Sequence, residues 1–261
     1  MNNRITDTFA KLKLNGEKAL ITFITGGDPD IETTEKLILA MEEAGVDIIE
    51  IGIPFSDPVA EGIVIQKASA RALDNGCTVD KLFDMVKRLR KSTNIPLLFM
   101  TYANPIHAYG KDQFMAKCKE VGIDGIIVPD APFEEKDEFE NECARYGICL
   151  VSLLAPTSGE RTEQIALGSQ GFLYCVSSLG VTGARSEINT NIAGLISKVK
   201  EVSDIPCAVG FGISTPEQAR DMAKISDGVI VGSAIVNLIG EFGVNSITRV
   251  RDFVSSLKSA L

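Results

Sequence analysis

Val46 to Ile53, VDIIEIGI, is a short run dominated by Val46, Ile48, Ile49, Ile51 and Ile53, and it leads into the turn-rich stretch PFSDPVAEG, residues 54 to 62. A run of that length, rich in β-branched residues and closed by Pro, Ser and Asp, reads as a buried strand. Seven more runs share its character: ALITFI (19 to 24), IPLLFM (95 to 100), IDGIIV (123 to 128), ICLVSLL (148 to 154), GFLYCV (171 to 176), IPCAVGF (205 to 211) and DGVIVG (227 to 232). Most are followed by a segment of helical period, such as the one in which Leu37, Ala40, Met41 and Ala44 make one apolar face. Strands that are almost wholly apolar have both faces covered, by helices outside and by side-chain layers inside. Eight such units predict a (β/α)8 TIM barrel, an α/β fold, with an extra N-terminal helix in the amphipathic segment MNNRITDTFAKLK. A doubly wound open sheet is the alternative; it would call for a GxGxxG turn after the first strand, where Thr25-Gly26-Gly27-Asp28-Pro29 stands instead.

The 261 residues match the size of one such barrel, so a single domain over residues 1 to 261 is expected in preference to two small ones. A formal net charge of -9 argues against a nucleic-acid partner, which demands a concentrated basic patch. The densest basic stretch, Lys87 to Lys91, ends a predicted helix, where cations complement the helix dipole in solvent. Six cysteines without a CxxC read as reduced packing residues, and with one histidine, His107, the ligand set of a zinc site is missing. No GxSxG accompanies that histidine, which argues against a Ser/His/Asp hydrolase. Without a signal peptide or an apolar run near the roughly 18 residues that span a bilayer, a cytoplasmic protein with no membrane association is expected.

Glu50 lies inside the VDIIEIGI run, and a charge among apolar strand residues costs several kcal/mol unless paired or protonated. Its pKa is therefore expected to be raised, as suits a general acid or base near neutrality; a solvent-facing or ion-paired structural glutamate is the plainer alternative. Glu61 follows eleven positions later across the turn. Period two puts Glu50 on the same side of its strand as Gly52, which leaves room for a ligand if that side is inward. Three glycine-bearing turns follow the last three strands: Gly180 to Gly183, Gly210 to Ser214, and Gly232 to Ala234. Together they fit an anion site of backbone N–H groups, with Ser233 adding a hydroxyl and capping a helix that begins at Ala234; singly, each is also a plain turn. Phe23, Met100 and Tyr174, if inward near the strand ends, make an apolar wall for a flat ring, though such residues also serve as core. The polar stretch 177 to 190 is the longest without pattern and is expected to be a lid or binding loop.

The motifs ALITFITGGDP (19 to 29), IIEIGIPFSDPVAEG (48 to 62) with Gln66 after it, TYANPI, GIIVPDAP, GVTGAR, VGFGIS and VGSAIV, in this order, resemble the tryptophan synthase alpha subunit family from end to end. The resemblance implies a barrel that cleaves indole-3-glycerol phosphate to indole and glyceraldehyde 3-phosphate, a lyase of tryptophan biosynthesis. It implies no metal and no cofactor in this chain, with pyridoxal phosphate in a beta subunit that receives the indole within an alpha2beta2 assembly. Glu50 and Glu61 match catalytic positions; Phe23, Met100 and Tyr174 match the indole pocket; Thr182 matches a lid threonine; Gly183, Gly212, Gly232 and Ser233 match phosphate-binding positions. Residues 54 to 58, 104 to 107 and 130 to 133 match the surface that meets the beta subunit.

The chain departs from the family pattern in three places. Glu61 stands where an aspartate is most common, Ile63 replaces the proline of a DGP sequence, and Ser178 replaces a frequent lid arginine. A retained role for Glu61 with altered loop geometry is expected. The competing readings are another phosphate-binding barrel, such as a thiamine phosphate synthase or a phosphoribosyl isomerase, and a regulatory subunit without catalysis. The first has no need of the two glutamates around FSDP, and the second would be marked by a lost carboxylate, yet both positions are acidic.

Overall fold

In the computed structural model, which describes residues 3 to 176, 185 to 210 and 212 to 261 (for 185 to 191 the backbone only), all eight apolar runs carry strands. They are β1 (Ala19–Thr25), β2 (Ile48–Gly52), β3 (Leu97–Met100), β4 (Gly125–Ile127), β5 (Cys149–Leu150), β6 (Ser152–Leu154), β7 (Leu173–Val176), β8 (Cys207–Gly210) and β9 (Gly228–Val231). Every pairing is parallel, in the order β5-β4-β3-β2-β1-β9-β8-β7-β6. The two ends of that order, β5 and β6, are consecutive pieces of the run 148 to 154 on either side of Val151. The sheet thereby closes on itself. The run divides because β5 pairs only with β4 and β6 only with β7, so the chain changes partners at the closing seam.

Period-two alternation separates two cores. Ile21, Ile48, Leu98, Ile127, Val151, Phe172, Ala208 and Ile230 point into the barrel. Their neighbours Leu20, Ile24, Ile49, Ile51, Leu97, Phe99, Leu173 and Val209 point outward and pack with helix residues such as Leu37, Met41, Phe83, Val86 and Phe114. The expected N-terminal helix is α1 (Arg4–Asn15), capped by Asn3, whose side chain accepts from the Ile5 N–H at 2.9 Å. Its Ile5, Phe9 and Leu12 lie one turn apart on one face and join the inner cluster as a stopper under the barrel, with Phe9 and Phe172 ring centroids 5.6 Å apart.

Of the first two crossover helices, the second bears on the site. α2 (Ile31–Glu43) follows β1, and α3 (Ile63–Asp74) follows the PFSDPVAE turn. Arg71 on α3 clasps the buried carboxylate of Asp28 with two bonds of 2.8 and 2.7 Å. The aspartate of the GGDP turn thus ties α3 to the end of β1. The basic stretch at the end of α4 (Val79–Leu89) is only partly the solvated terminus expected: Arg90 is drawn inside, donating to Asp124 at 2.8 Å, while Arg88 pairs with Glu35 at 2.8 Å and Lys87 with Glu120 at 3.1 Å. All six cysteines are free and buried, and no helix of the described residues is long and apolar enough to cross a membrane.

Candidate active site

Glu50 sits in the middle of β2 with the parity of the inward residue Ile48, level with Phe23 on β1 and Leu98 on β3. It has no exposed surface, and among the described residues neither carboxylate oxygen has a hydrogen-bond partner. An unpaired charge in that setting is strongly disfavoured, and burial pushes the Glu50 pKa up to about 8. The side chain is therefore a neutral carboxylic acid at pH 7, held where it can give a proton.

Glu61 arrives from the other side of the turn, just before Gly62, the N-cap of α3. Burial raises its pKa to about 7, and its Oε2 is likewise buried and has no partner among the described residues. The two carboxyls do not bond to each other, so each keeps its proton-transfer capacity for something else.

Apolar side chains pack at this end of the barrel around Phe23, the residue level with Glu50. Phe23 and Met100 belong to one small cluster with Ala68, Val64 and Ile65 of α3 and with Val236 of α11 (Ser233–Phe242). Tyr174 is inward on β7 and close enough to Glu50 for that charge, after burial, to help raise its phenol well above the usual range. A Cβ on Gly210 would stand 2.6 Å from the Tyr174 hydroxyl, so the ring lies directly over that glycine. The four α3 and α11 residues have no signal in the strand pattern, because which face of a crossover helix leans over the barrel mouth is set by packing.

Two expectations are corrected. Gly52 does not leave free space: a Cβ there would be 2.6 Å from Phe23 Cζ, so the phenyl ring already occupies the room. Ser233 does not cap a helix starting at Ala234; it is the first residue of α11, whose N-cap is Gly232 with no side-chain cap bond. The Ile235 and Val236 N–H groups donate to the Gly232 carbonyl at 2.8 and 3.0 Å, which leaves Ser233 and Ala234 to open the helix without a side-chain cap, and Ser233 lies exposed there. Gly232 is also close to Phe23, with a Cβ placed 3.3 Å from the Phe23 Cβ, which puts this helix end beside the apolar cluster. Gly212 at the end of β8 has φ +83 and open space around it, a backbone conformation that favours glycine. Thr182 and Gly183, like Ser178, lie outside the described residues.

The segments 54 to 58, 104 to 107 and 130 to 133 sit at the same end of the barrel; Ser56, Asp57, Asn104, His107, Asp130 and Pro132 are exposed, as is Val59 beside them at 82%, while Pro54 and Ile106 are buried. Among the described residues no group of three or more His, Cys, Asp or Glu is placed to hold a metal ion.

Two raised carboxyls, an apolar cluster and a helix N-terminus at one barrel end suit proton transfer on a flat, anionic substrate. The sequence pattern of the family described as "Tryptophan synthase alpha chain" matches residues 9–260. Tryptophan synthase alpha chains of Thermoanaerobacter sp. (strain X514) and Alkaliphilus metalliredigens are 50% and 46% identical, covering 99% and 98% of this chain and 100% and 97% of their own. The crystal structure of tryptophan synthase subunit alpha from Legionella pneumophila superimposes with a TM-score of 0.91 at 38% identity, over 100% of this chain and 98% of that one. A chain of the tryptophan synthase complex from Pyrococcus furiosus matches with a TM-score of 0.84 at 38% identity, over 92% of this chain and 98% of its own. With half of its residues shared over full length, and the same barrel, the chain belongs to the tryptophan synthase alpha chain family.

Proposed function

We propose that this lyase carries out the family's cleavage of indole-3-glycerol phosphate to indole and glyceraldehyde 3-phosphate with Glu50 as its proton shuttle. The observation that carries the reading is a fully buried, unpartnered carboxyl with a pKa near 8 at the catalytic end of the barrel. Glu50, protonated in the empty site, delivers its proton to indole C3. Positive charge then develops on the indole ring and is drawn to the ionised form of Glu61 at the N–H. As a carboxylate, Glu50 next takes the proton from the glycerol hydroxyl on the carbon attached to C3. The C–C bond breaks, its electron pair returns to the ring, and the hydroxyl carbon becomes the aldehyde. One proton leaves Glu50 and one returns, so no water is consumed and no oxidant is needed.

Phe23, Met100 and Tyr174 hold the indole, and the phosphate rests on Gly183, Gly212, Gly232 and Ser233 at the N-terminus of α11, where amides and the helix dipole bind an anion without a basic field. Thr182 belongs to the lid. The chain works without a cofactor of its own, in the cytoplasm, and passes indole to a pyridoxal-phosphate beta subunit in an alpha2beta2 assembly through residues 54 to 58, 104 to 107 and 130 to 133. Partner binding orders the loops and speeds turnover. The test is stoichiometric: purified chain, with and without the beta subunit, should release indole and glyceraldehyde 3-phosphate one to one, faster with the partner. No release in either condition would contradict the lyase reading, and equal rates would contradict the gating.

A further inference from the structure

The segment from Ile53 to Gly62 has no regular structure of its own, yet it must deliver the Glu61 carboxylate to a defined place. Ahead of Gly62, four contacts among the described residues hold it. The Ile53 N–H donates to the Met100 carbonyl at 2.9 Å; the Phe55 ring packs on Tyr102 with centroids 5.3 Å apart; the Ala60 N–H donates to the Tyr102 phenol oxygen at 2.9 Å; and Gln66 Nε2 donates to the Glu61 carbonyl at 2.8 Å. Two of the four converge on Tyr102. That residue is itself fixed: it is 2% exposed, the Thr101 N–H before it donates to Ile127 at 3.0 Å, and the Ala103 N–H after it donates to Asp130 Oδ1 at 3.0 Å. Its backbone is thus anchored to β4 and the turn beyond on both sides. Burial, foremost, pushes the phenol up to about 12, with the neighbouring Glu61 charge adding to it, so the oxygen stays a neutral acceptor over the whole working range of pH.

We propose that Tyr102 is the positioning residue for Glu61: its phenol oxygen grips the Ala60 amide, one peptide before the carboxylate, and fixes where Glu61 enters the site. This rests on the proposed lyase reading. A loop glutamate has one methylene more than an aspartate and more rotamers to lose, so a fixed backbone at residues 60 and 61 matters more for it. Gln66 completes the grip from the other side of the same residue pair.

Tyr102→Phe keeps the ring that stacks on Phe55 and removes only the acceptor. With the beta subunit present, kcat is expected to fall by about tenfold while KM for indole-3-glycerol phosphate changes by less than about twofold, the signature of a misplaced group that acts in the transition state. The acidic limb of the pH profile should move to lower pH, because a released Glu61 becomes more solvated. Amide exchange at Ala60, measured in the free chain, should accelerate by about tenfold. Tyr109→Phe, which removes a phenol bonded to Asp80 farther along α5 (Ala103–Tyr109), should change none of these. Parent kinetics with undiminished Ala60 protection would overturn the proposal, as would a rate loss with an unmoved acidic limb. If the parent itself released no indole, the lyase reading would fail, while the Ala60 exchange rate would still report whether the phenol holds the loop.

Discussion

Replacing Glu50 by glutamine should make the protein more stable in mildly alkaline solution while destroying its activity. The carboxyl is fully buried without a partner, and burial lifts its pKa from 4.5 to about 8. The folded state therefore holds this proton more tightly than the unfolded chain does. By linkage, stability from this group is fully present below the unfolded pKa of 4.5 and falls as pH rises towards 8, by about 1.4 kcal/mol per pH unit. Carried through, about 3 kcal/mol is lost by pH 7 and about 4 kcal/mol by pH 8, a large part of a stability that is commonly 5–15 kcal/mol. Glutamine is close in shape to the protonated acid and does not titrate. Urea unfolding at pH 5 should therefore give nearly equal midpoints for parent and Glu50→Gln, and at pH 8 the variant should be ahead by several kcal/mol. If the two proteins lose stability in parallel between pH 5 and pH 8, Glu50 is not the unpartnered buried acid that the mechanism requires.

Two further outcomes follow from the same geometry. Because Glu61 acts ionised with a pKa near 7 and Glu50 acts protonated with a pKa near 8, kcat/KM should be bell-shaped, rising through about 7 and falling through about 8; a flat profile from pH 6 to 9 would contradict these roles. Gly210→Ala would drive a methyl to 2.6 Å from the Tyr174 hydroxyl, displacing a pocket wall that neighbours Glu50, and kcat/KM should drop by about 10²-fold with the far-ultraviolet circular dichroism unchanged.

The barrel was legible in the sequence because each strand is a nearly unbroken apolar run, a pattern that only a sheet covered on both faces requires. The division of the run 148 to 154 at Val151 was not legible, since it depends on which neighbour each half pairs with. Glu50 stood out as a charge flanked on both sides by isoleucines, and its raised pKa followed from burial alone. The space beside Gly52 was misjudged because the residue filling it, Phe23, lies on another strand and meets it only through the register of β1 with β2. Ser233 was misplaced by one residue, the ordinary uncertainty of a helix start. The grip of Tyr102 on Ala60 joins residues 42 apart and has no local signature in either.

The most direct measurement is indole release from indole-3-glycerol phosphate by the parent and by Glu50→Gln, each saturated with the beta subunit. The parent should turn over, and the variant should bind the substrate yet release indole on the order of 10³-fold more slowly, the contribution of a positioned general acid and base. A variant within tenfold of the parent would contradict the assignment of the proton shuttle to Glu50.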